Sequence, residues 1–587
     1  MTVATSPPLA GELADLARDS LFAYRDGLSA EQSCRLSYAR LRRIHEQLGS
    51  AVATVRDPRR LTAAMQWSAM LDETTFALLN IHYSLALGTM LDHAGDSPVL
   101  ASFVAELDDM TSVGLFMATE LAYGNNAVNL RTTAVYDPET REFDLHSPDV
   151  SAYKYMPNAG LADVPKLAVV LARLISHGTD HGVMPFVVRI SDANGLRPGI
   201  EAVPLGDKPG FALDNALTRF RHVRVPLANM LGGGLGQLAE DGTFHPVLRS
   251  PRERFTAAMG RVTTGRLCLT TAMLACARAS CAIAIRYARQ RQTFAPGARQ
   301  VAVLAYRSHQ RALFGALAAT YAMTALADRA LDAYADSPEG PTAATGHLIS
   351  VTKVASTWAA SEIIHNARER CGAQGMFREN RIAGYVGLAQ GAVTAEGDNL
   401  VLLSLTAGAL VGGTGAPAWT PRPGDLADLG HLLNLLRGRE ETLRAQARSR
   451  LVGGDGDSFA TWNRGLTTML SFGQAAGVRL AFEELYRRCR ETDGALSRLL
   501  CLYGLLEIDR NGGWYLAHGA VTADQVRELP DLIDAQCERI SHDVDELVDG
   551  LAVPDLVLRV PIGGDDYLAA FAGRHTTALP EPSADLP

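Results

Sequence analysis

The chain has 587 residues, of which 47% are hydrophobic and 20% charged, and a formal charge of -9. That length exceeds a single hydrophobic core and calls for two to four domains, while the composition excludes a disordered or fibrous chain. An acidic balance with no basic block argues against nucleic acid as a partner, because phosphate-binding surfaces carry an excess of lysine and arginine.

The eight cysteines (Cys34, Cys268, Cys276, Cys281, Cys371, Cys489, Cys501, Cys537) show neither CxxC pairing nor metal-ligand spacing. They read as buried thiols of a reduced compartment. The chain does not open on a charged segment followed by an apolar stretch, and it ends in "SADLP" without a lipidation or peroxisomal signal, so a cytoplasmic location is expected. The most apolar run, "VLLSLTAGALVGGTGAPA", is interrupted by Gly, Ser and Thr, and suits a buried helix and its exit loop better than a membrane span.

In chain order, "LADLARDSLFAYRDGL", "CRLSYARLRRIHEQLG" and "LLNIHYSLALGTMLDHAG" repeat apolar residues at three- and four-residue spacing, which predicts helices from about 10 to 110. Between about 130 and 230 the reading changes to short strands punctuated by turns, a mostly β block. There "LRTTAVYDPETREFDLHSP" predicts a hairpin around Asp137-Pro138, followed by strands in "KLAVVLARL", "GVMPFVVRI" and "FRHVRVP". Long helices return from about 250 to 412, the clearest being Gly265 to Gln290, apolar on most faces and so packed on several sides. "GGTGAPAWTPRPGD" (412–425) marks a boundary before a further helical block to about 550, with a smaller joint at "VGGDGDS" and a polar tail. The expected fold class is α+β, mainly α. Its divisions are 1–112 helical, 113–240 β, 250–412 a helical bundle, 425–560 a C-terminal helical domain and 561–587 a tail.

Two stretches carry candidate chemistry. Threonine hydroxyls and turn amides from Thr119 to Pro157 suit the polar edge of a planar cofactor, although composition alone favours a plain surface hairpin. In "TAEGDNLVLL" (394–403), Glu396 is a candidate general base, while Asp398 and Asn399 also suit an ordinary helix start. Other features are bland. His177 and His181 have i,i+4 spacing, but Gly178 between them breaks a helix and no third ligand follows, so no metal is expected. "LGGGLGQ" (231–237) lacks the spacing of a dinucleotide fingerprint and reads as a loop.

The segments "TELAYGNNAVNLRTTAVYDPETREFDLHSP", "KYMPNAG", "PLGDKPGFALDNALTRFRHVRVPLANML", "IRYARQRQTFAPG", "CGAQGMFRENR" and "EGDNLVLL" occur in an order that resembles the acyl-CoA oxidase branch of the acyl-CoA dehydrogenase superfamily. A bacterial-type member is expected. The resemblance implies an N-terminal helical domain, a β-barrel-like middle domain, a helical bundle and an extra C-terminal helical domain. It also implies FAD as cofactor and oxidation of an acyl thioester, on CoA or a carrier protein, to the 2,3-enoyl thioester, with molecular oxygen reduced to hydrogen peroxide. A homodimer with FAD at the subunit interface is implied as well.

Carried over by this resemblance, Glu396 is the catalytic base. Thr119 and Asn158 fall at the flavin edge, Arg291, Thr293 and Phe294 at the pyrophosphate and adenine end, and Gly372 and Gly375 where backbone approaches the cofactor. Tyr123, Asn125 and Ala395 fall at substrate-contact positions and depart from the family pattern, Ala395 standing where a bulky tyrosine is usual. Asn158 and Ala159 replace two glycines, and Arg307 replaces a glutamine. At Thr264, Gly265 and Arg266, where some relatives carry the base, there is no carboxylate. These departures keep open a specialised enzyme acting on a carrier-bound acyl group, a small amine or an N–N compound, and a flavin-free scaffold.

Overall fold

Cys34, Tyr38, Leu41, Ile44 and Leu48 recur at three- and four-residue spacing and form the buried face of a helix, Ala30–Leu48. Ser29 and Gln32 start it with reciprocal side-chain to backbone hydrogen bonds that satisfy two amides otherwise left without partners. The computed structural model to which it belongs describes residues 13, 16, 19–297, 299–337, 340–412, 419–451, 457–489 and 494–575. The chain divides into two compact units, 8–269 and 270–587.

In the first unit the helix expected over "LADLARDSLFAYRDGL" does not continue through 19–28, where Ser20–Phe22 is a 3-10 turn. Asp19 accepts the Leu21 amide and Gly27 adopts a φ of 72°, local geometry that competes with a continuous helix. Further helices, among them Pro58–Leu71 and Pro98–Asp108, follow as the apolar spacing requires.

The predicted hairpin is present as strands Thr133–Asp137 and Glu142–His146, paired antiparallel with Tyr136 opposite Phe143. Ala134, Tyr136, Phe143 and Leu145 alternate inward, the period of two that marks a half-buried sheet. The long strands Lys166–Ser176 and Thr179–Asp192 are buried along most of their length, and Val113–Met117 runs parallel to the former. Seven strands make the main sheet, and Lys154–Tyr155, Ala216–Phe220 and Ile200–Pro204 make a second of three. His177 (φ 49°) and Gly178 (φ 72°) form the turn between the long strands, so the two histidines do not share a helix face.

In the second unit, helix Arg307–Ala335 packs on Ala343–Arg370, and Leu429–Leu451 packs on Ser458–Cys489. Among the described residues, one helical stretch is long and apolar enough to cross a membrane; it lies within 251–290, and its apolar window is wholly buried. All eight cysteines are buried and free. Part of the boundary at 412–425, most of the joint at 452–458 and the end of the tail lie outside the described residues.

Candidate active site

The expected site residues fall in both units, and each set is built by its own scaffold. In the first unit the strand Val113–Met117 delivers Thr119 to a half-buried position. A π-helical segment, Asn80–Leu87, holds that strand: the Gly114 amide donates to His82 Nδ1 at 2.7 Å, and His82 Nε2 lies 3.0 Å from the Leu107 carbonyl. Burial pulls the His82 imidazole down to about 4, so it stays neutral, accepting on Nδ1 and donating from Nε2. Gly114 is required there because a Cβ would meet the Ala86 methyl at 2.7 Å.

Beyond the strand, the segment around Thr119 is laced to the segment before Pro157. The Tyr155 amide donates to the Thr119 carbonyl at 3.0 Å and the Leu121 amide to Tyr153 at 2.9 Å. Between them lies a fully buried ion pair, Lys154 Nζ to Glu120 Oε1, at 3.1 Å. Glu120 also accepts the amides of Arg131 and Thr132 at 2.7 and 2.9 Å, and Lys154 donates to the Leu171 carbonyl at 2.7 Å. Removal from water pulls the Lys154 ammonium down to about 8, against the opposing pull of Glu120. Sequence reasoning missed this pair, although Glu120 and Lys154 sit inside two of the quoted motifs.

Asn158 lies one step further and is 1% exposed. Its Nδ2 faces the Tyr38 hydroxyl at 3.3 Å, and that hydroxyl donates to Asp214, which also takes a 2.6 Å bond from buried Lys166. The Asn158 side chain therefore points into the protein, and what this position presents outward is backbone. The Gly160 amide, bonded to the Asp214 carbonyl at 2.8 Å, fixes that backbone. Tyr123 is half-buried, with its amide on the Glu120 carbonyl, and Asn125 is exposed.

In the second unit Glu396 occupies a turn between helices Ile382–Ala392 and Asn399–Val411. It has φ of 56° and precedes Gly397 at 104°. The left-handed region costs a residue with a Cβ about 1–2 kcal/mol. Strain of this kind at a candidate base points to a function that over-determined surroundings maintain. Glu396 is half-buried with Oε2 shielded from solvent, and Ala395 beside it is exposed. Asp398 caps the following helix through the amides of Leu400 and Val401, at 3.0 and 3.4 Å. The helix-start reading and a fixed carboxylate thus coexist.

The same unit carries the residues expected at the far end of the cofactor. Arg291 opens a hairpin of strands Gln292–Ala295 and Arg299–Ala302, with its carbonyl taken by the Val303 amide at 2.8 Å. Arg291 is exposed and, among the described residues, has no carboxylate within ion-pair distance; Phe294 is 69% exposed and Thr293 half-buried. An exposed guanidinium suits a phosphate, and an exposed aromatic ring on the same hairpin suits a planar ring. Gly372, at φ of 58° with open space where a Cβ would point, also suits close backbone approach to a ligand. Gly375 has another reason to be glycine: a Cβ would lie 2.2 Å from the Arg368 carbonyl, so packing within the fold accounts for it. Arg307 bonds Gln310 at 2.6 Å and Glu538 at 3.2 Å, which ties it to the helix Ala523–Asp549.

Residues 259–411 match the profile of the acyl-CoA oxidase C-alpha1 domain, and 437–566 match that of acyl-CoA oxidase. The chain is 30% identical over 560 residues to acyl-coenzyme A oxidase 2, peroxisomal, of Arabidopsis thaliana, covering 86% of this chain and 80% of that one. In fold it is similar to acyl-CoA oxidase 1 of Yarrowia lipolytica, with TM-score 0.87 and 22% identity over 98% of this chain and 91% of that one. It is also similar to acyl-CoA oxidase-2 of Caenorhabditis elegans, solved with FAD, ascaroside-CoA and ATP, with TM-score 0.83 and 20% identity over 98% and 91% of the two chains. These relatives come from a plant, a yeast and a nematode, so the bacterial-type assignment has no support. The cytoplasmic expectation is overturned as well, because the Arabidopsis relative is named peroxisomal; composition and thiol chemistry describe a reducing environment, not an address. A strained and capped glutamate turn, an exposed hairpin bearing Arg291 and Phe294, and a relative matched at 30% identity over 86% of the chain agree, and the chain belongs to the acyl-CoA oxidase family.

Proposed function

We infer that this chain is an FAD-dependent oxidoreductase that converts acyl-CoA to trans-2-enoyl-CoA and delivers the electrons to oxygen, forming hydrogen peroxide. The observation that carries the reading is the Glu396 turn, a carboxylate held in a left-handed backbone and partly withdrawn from water at the position the family resemblance gives to the base. FAD, when bound, accepts the hydride that leaves the β-carbon and passes its electrons to oxygen.

The chain's own part is acid–base and positional. Glu396 takes the α-proton. The Glu396 backbone N–H is assigned to the thioester oxygen as negative charge develops there. Thr119 is assigned to the flavin edge and the backbone at Asn158 to the same neighbourhood, with Tyr123, Asn125 and Ala395 toward the substrate. Arg291, Thr293 and Phe294 are assigned to the pyrophosphate and adenine end and Gly372 to close backbone approach, all within the segment 250–412.

An exposed Phe294 on the paired hairpin suits contact with a neighbouring subunit, and we assign the active form as a homodimer. Arg291→Ala is expected to weaken FAD binding about 10- to 100-fold, the loss of charge-assisted hydrogen bonds. Flavin fluorescence on serial dilution of the variant measures this.

Purified holoenzyme offered straight-chain acyl-CoAs of graded length is expected to release peroxide and enoyl-CoA in equal amounts. Turnover only with a carrier-bound acyl group, an amine or an N–N compound, and with no CoA ester, would sink the reading.

A further inference from the structure

Glu396 and Gly397 both lie at positive φ, and a residue with a side chain stays there only when its surroundings fix it. The candidate holder comes from the middle of the neighbouring helix Ala343–Arg370. Lys353 is fully buried, and its Nζ donates to the Gly397 carbonyl at 2.8 Å and to Asn399 Oδ1 at 2.7 Å. One helical turn on, Thr357 Oγ1 accepts from Asn399 Nδ2 at 3.0 Å and donates to the Lys353 carbonyl at 2.8 Å. Asn399 is 2% exposed, and its amide closes the turn on the Val393 carbonyl at 3.0 Å.

A buried ammonium is an expensive group to keep, and charge-assisted hydrogen bonds are stronger and shorter than neutral ones. These two grip the chain on the residue directly after the base and on the first residue of the next helix. A shift of the turn that moved the Glu396 carboxylate would stretch both bonds together. The amphipathic pattern of the helix gives no reason for a lysine at this buried position, whereas the base turn does.

We propose that Lys353, seconded by Asn399 and Thr357, is a positioning residue that holds the Glu396 turn in its left-handed form and so aims the carboxylate at the substrate α-carbon. It touches neither substrate nor cofactor. The proposal rests on Glu396 being the base, and its test separates the two claims.

Lys353→Met removes every donor while keeping most of the side-chain length. In the holoenzyme it is expected to lower kcat with straight-chain acyl-CoA about 100-fold, the usual penalty for displacing a catalytic group by about 1 Å. KM should stay within about twofold and flavin content unchanged, and the kinetic isotope effect from α-deuterated substrate should rise as proton abstraction becomes slower than other steps. Should that variant fail to fold, Asn399→Ala takes its place: it removes one of the two grips and is expected to cost about tenfold in kcat, with Asn399→Asp restoring the rate by returning an oxygen to Lys353. Wild-type kcat in the folded Lys353 variant, or in Asn399→Ala where that variant is needed, overturns the proposal. So does a loss of rate that only mirrors a loss of bound flavin. If Glu396→Gln keeps full activity, the base assignment itself falls; if Glu396→Gln is inactive and the Lys353 variant is not, positioning alone falls.

Discussion

Glu396→Gln is expected to lower turnover of acyl-CoA by about ten thousand-fold, the upper range for removing a positioned general base. The amide has almost the shape of the carboxylate and can occupy the same strained turn, so FAD content, thermal stability and KM should change little. A loss confined to kcat marks an interaction made only on the way to the transition state. No carboxylate stands at Thr264, Gly265 or Arg266 to replace it. Kinetics with peroxide detection, alongside the flavin absorption spectrum of the same sample, decides this; a variant with full activity removes Glu396 from its role.

The second large effect concerns stability. Lys154→Met leaves the Glu120 carboxylate buried without its cation, a change that costs about 3–5 kcal/mol when a buried pair is broken from one side. The segments that meet at this pair carry Thr119 and lead to Asn158, so the variant is also expected to lose FAD more readily on dilution. Adding Glu120→Gln removes the stranded charge and should recover a large part of the stability, because a neutral buried amide costs far less than an ion. Thermal or denaturant unfolding of the single and double variants measures both. Equal stability of Lys154→Met and wild type contradicts the role given to the pair.

Alternation made the hairpin at 133–146 legible, because it buries one face at a fixed spacing, and sustained apolar runs did the same for the long strands and the helix Arg261–Gln290, which are buried on several sides. Periodicity failed at 19–28, where Asp19 and Gly27 set turns that apolar spacing does not register. Motif order made the Glu396 turn legible as a place. It did not reveal what holds that turn, since Lys353 and Gly397 are far apart in sequence and a lysine in a helix ordinarily reads as solvated. Glu120 and Lys154 were hidden for the same reason, charged residues whose burial depends on strands that meet only in the fold. Asn158 shows the opposite limit: the sequence marks its position as a departure from glycine, but the inward turn of its side chain depends on Tyr38, 120 residues away. Gly375 is a glycine for packing, a reason that no motif distinguishes from ligand approach.

The central claim, that Glu396 removes the α-proton of an acyl-CoA as the flavin is reduced, is tested most directly by anaerobic rapid mixing of holoenzyme with acyl-CoA bearing deuterium at the α-carbon. The account predicts that the flavin absorption bleaches in one turnover, several-fold more slowly than with the unlabelled ester, and that Glu396→Gln does not bleach with either. Bleaching at the same rate with α-hydrogen and α-deuterium in wild type, together with normal bleaching in Glu396→Gln, would contradict it.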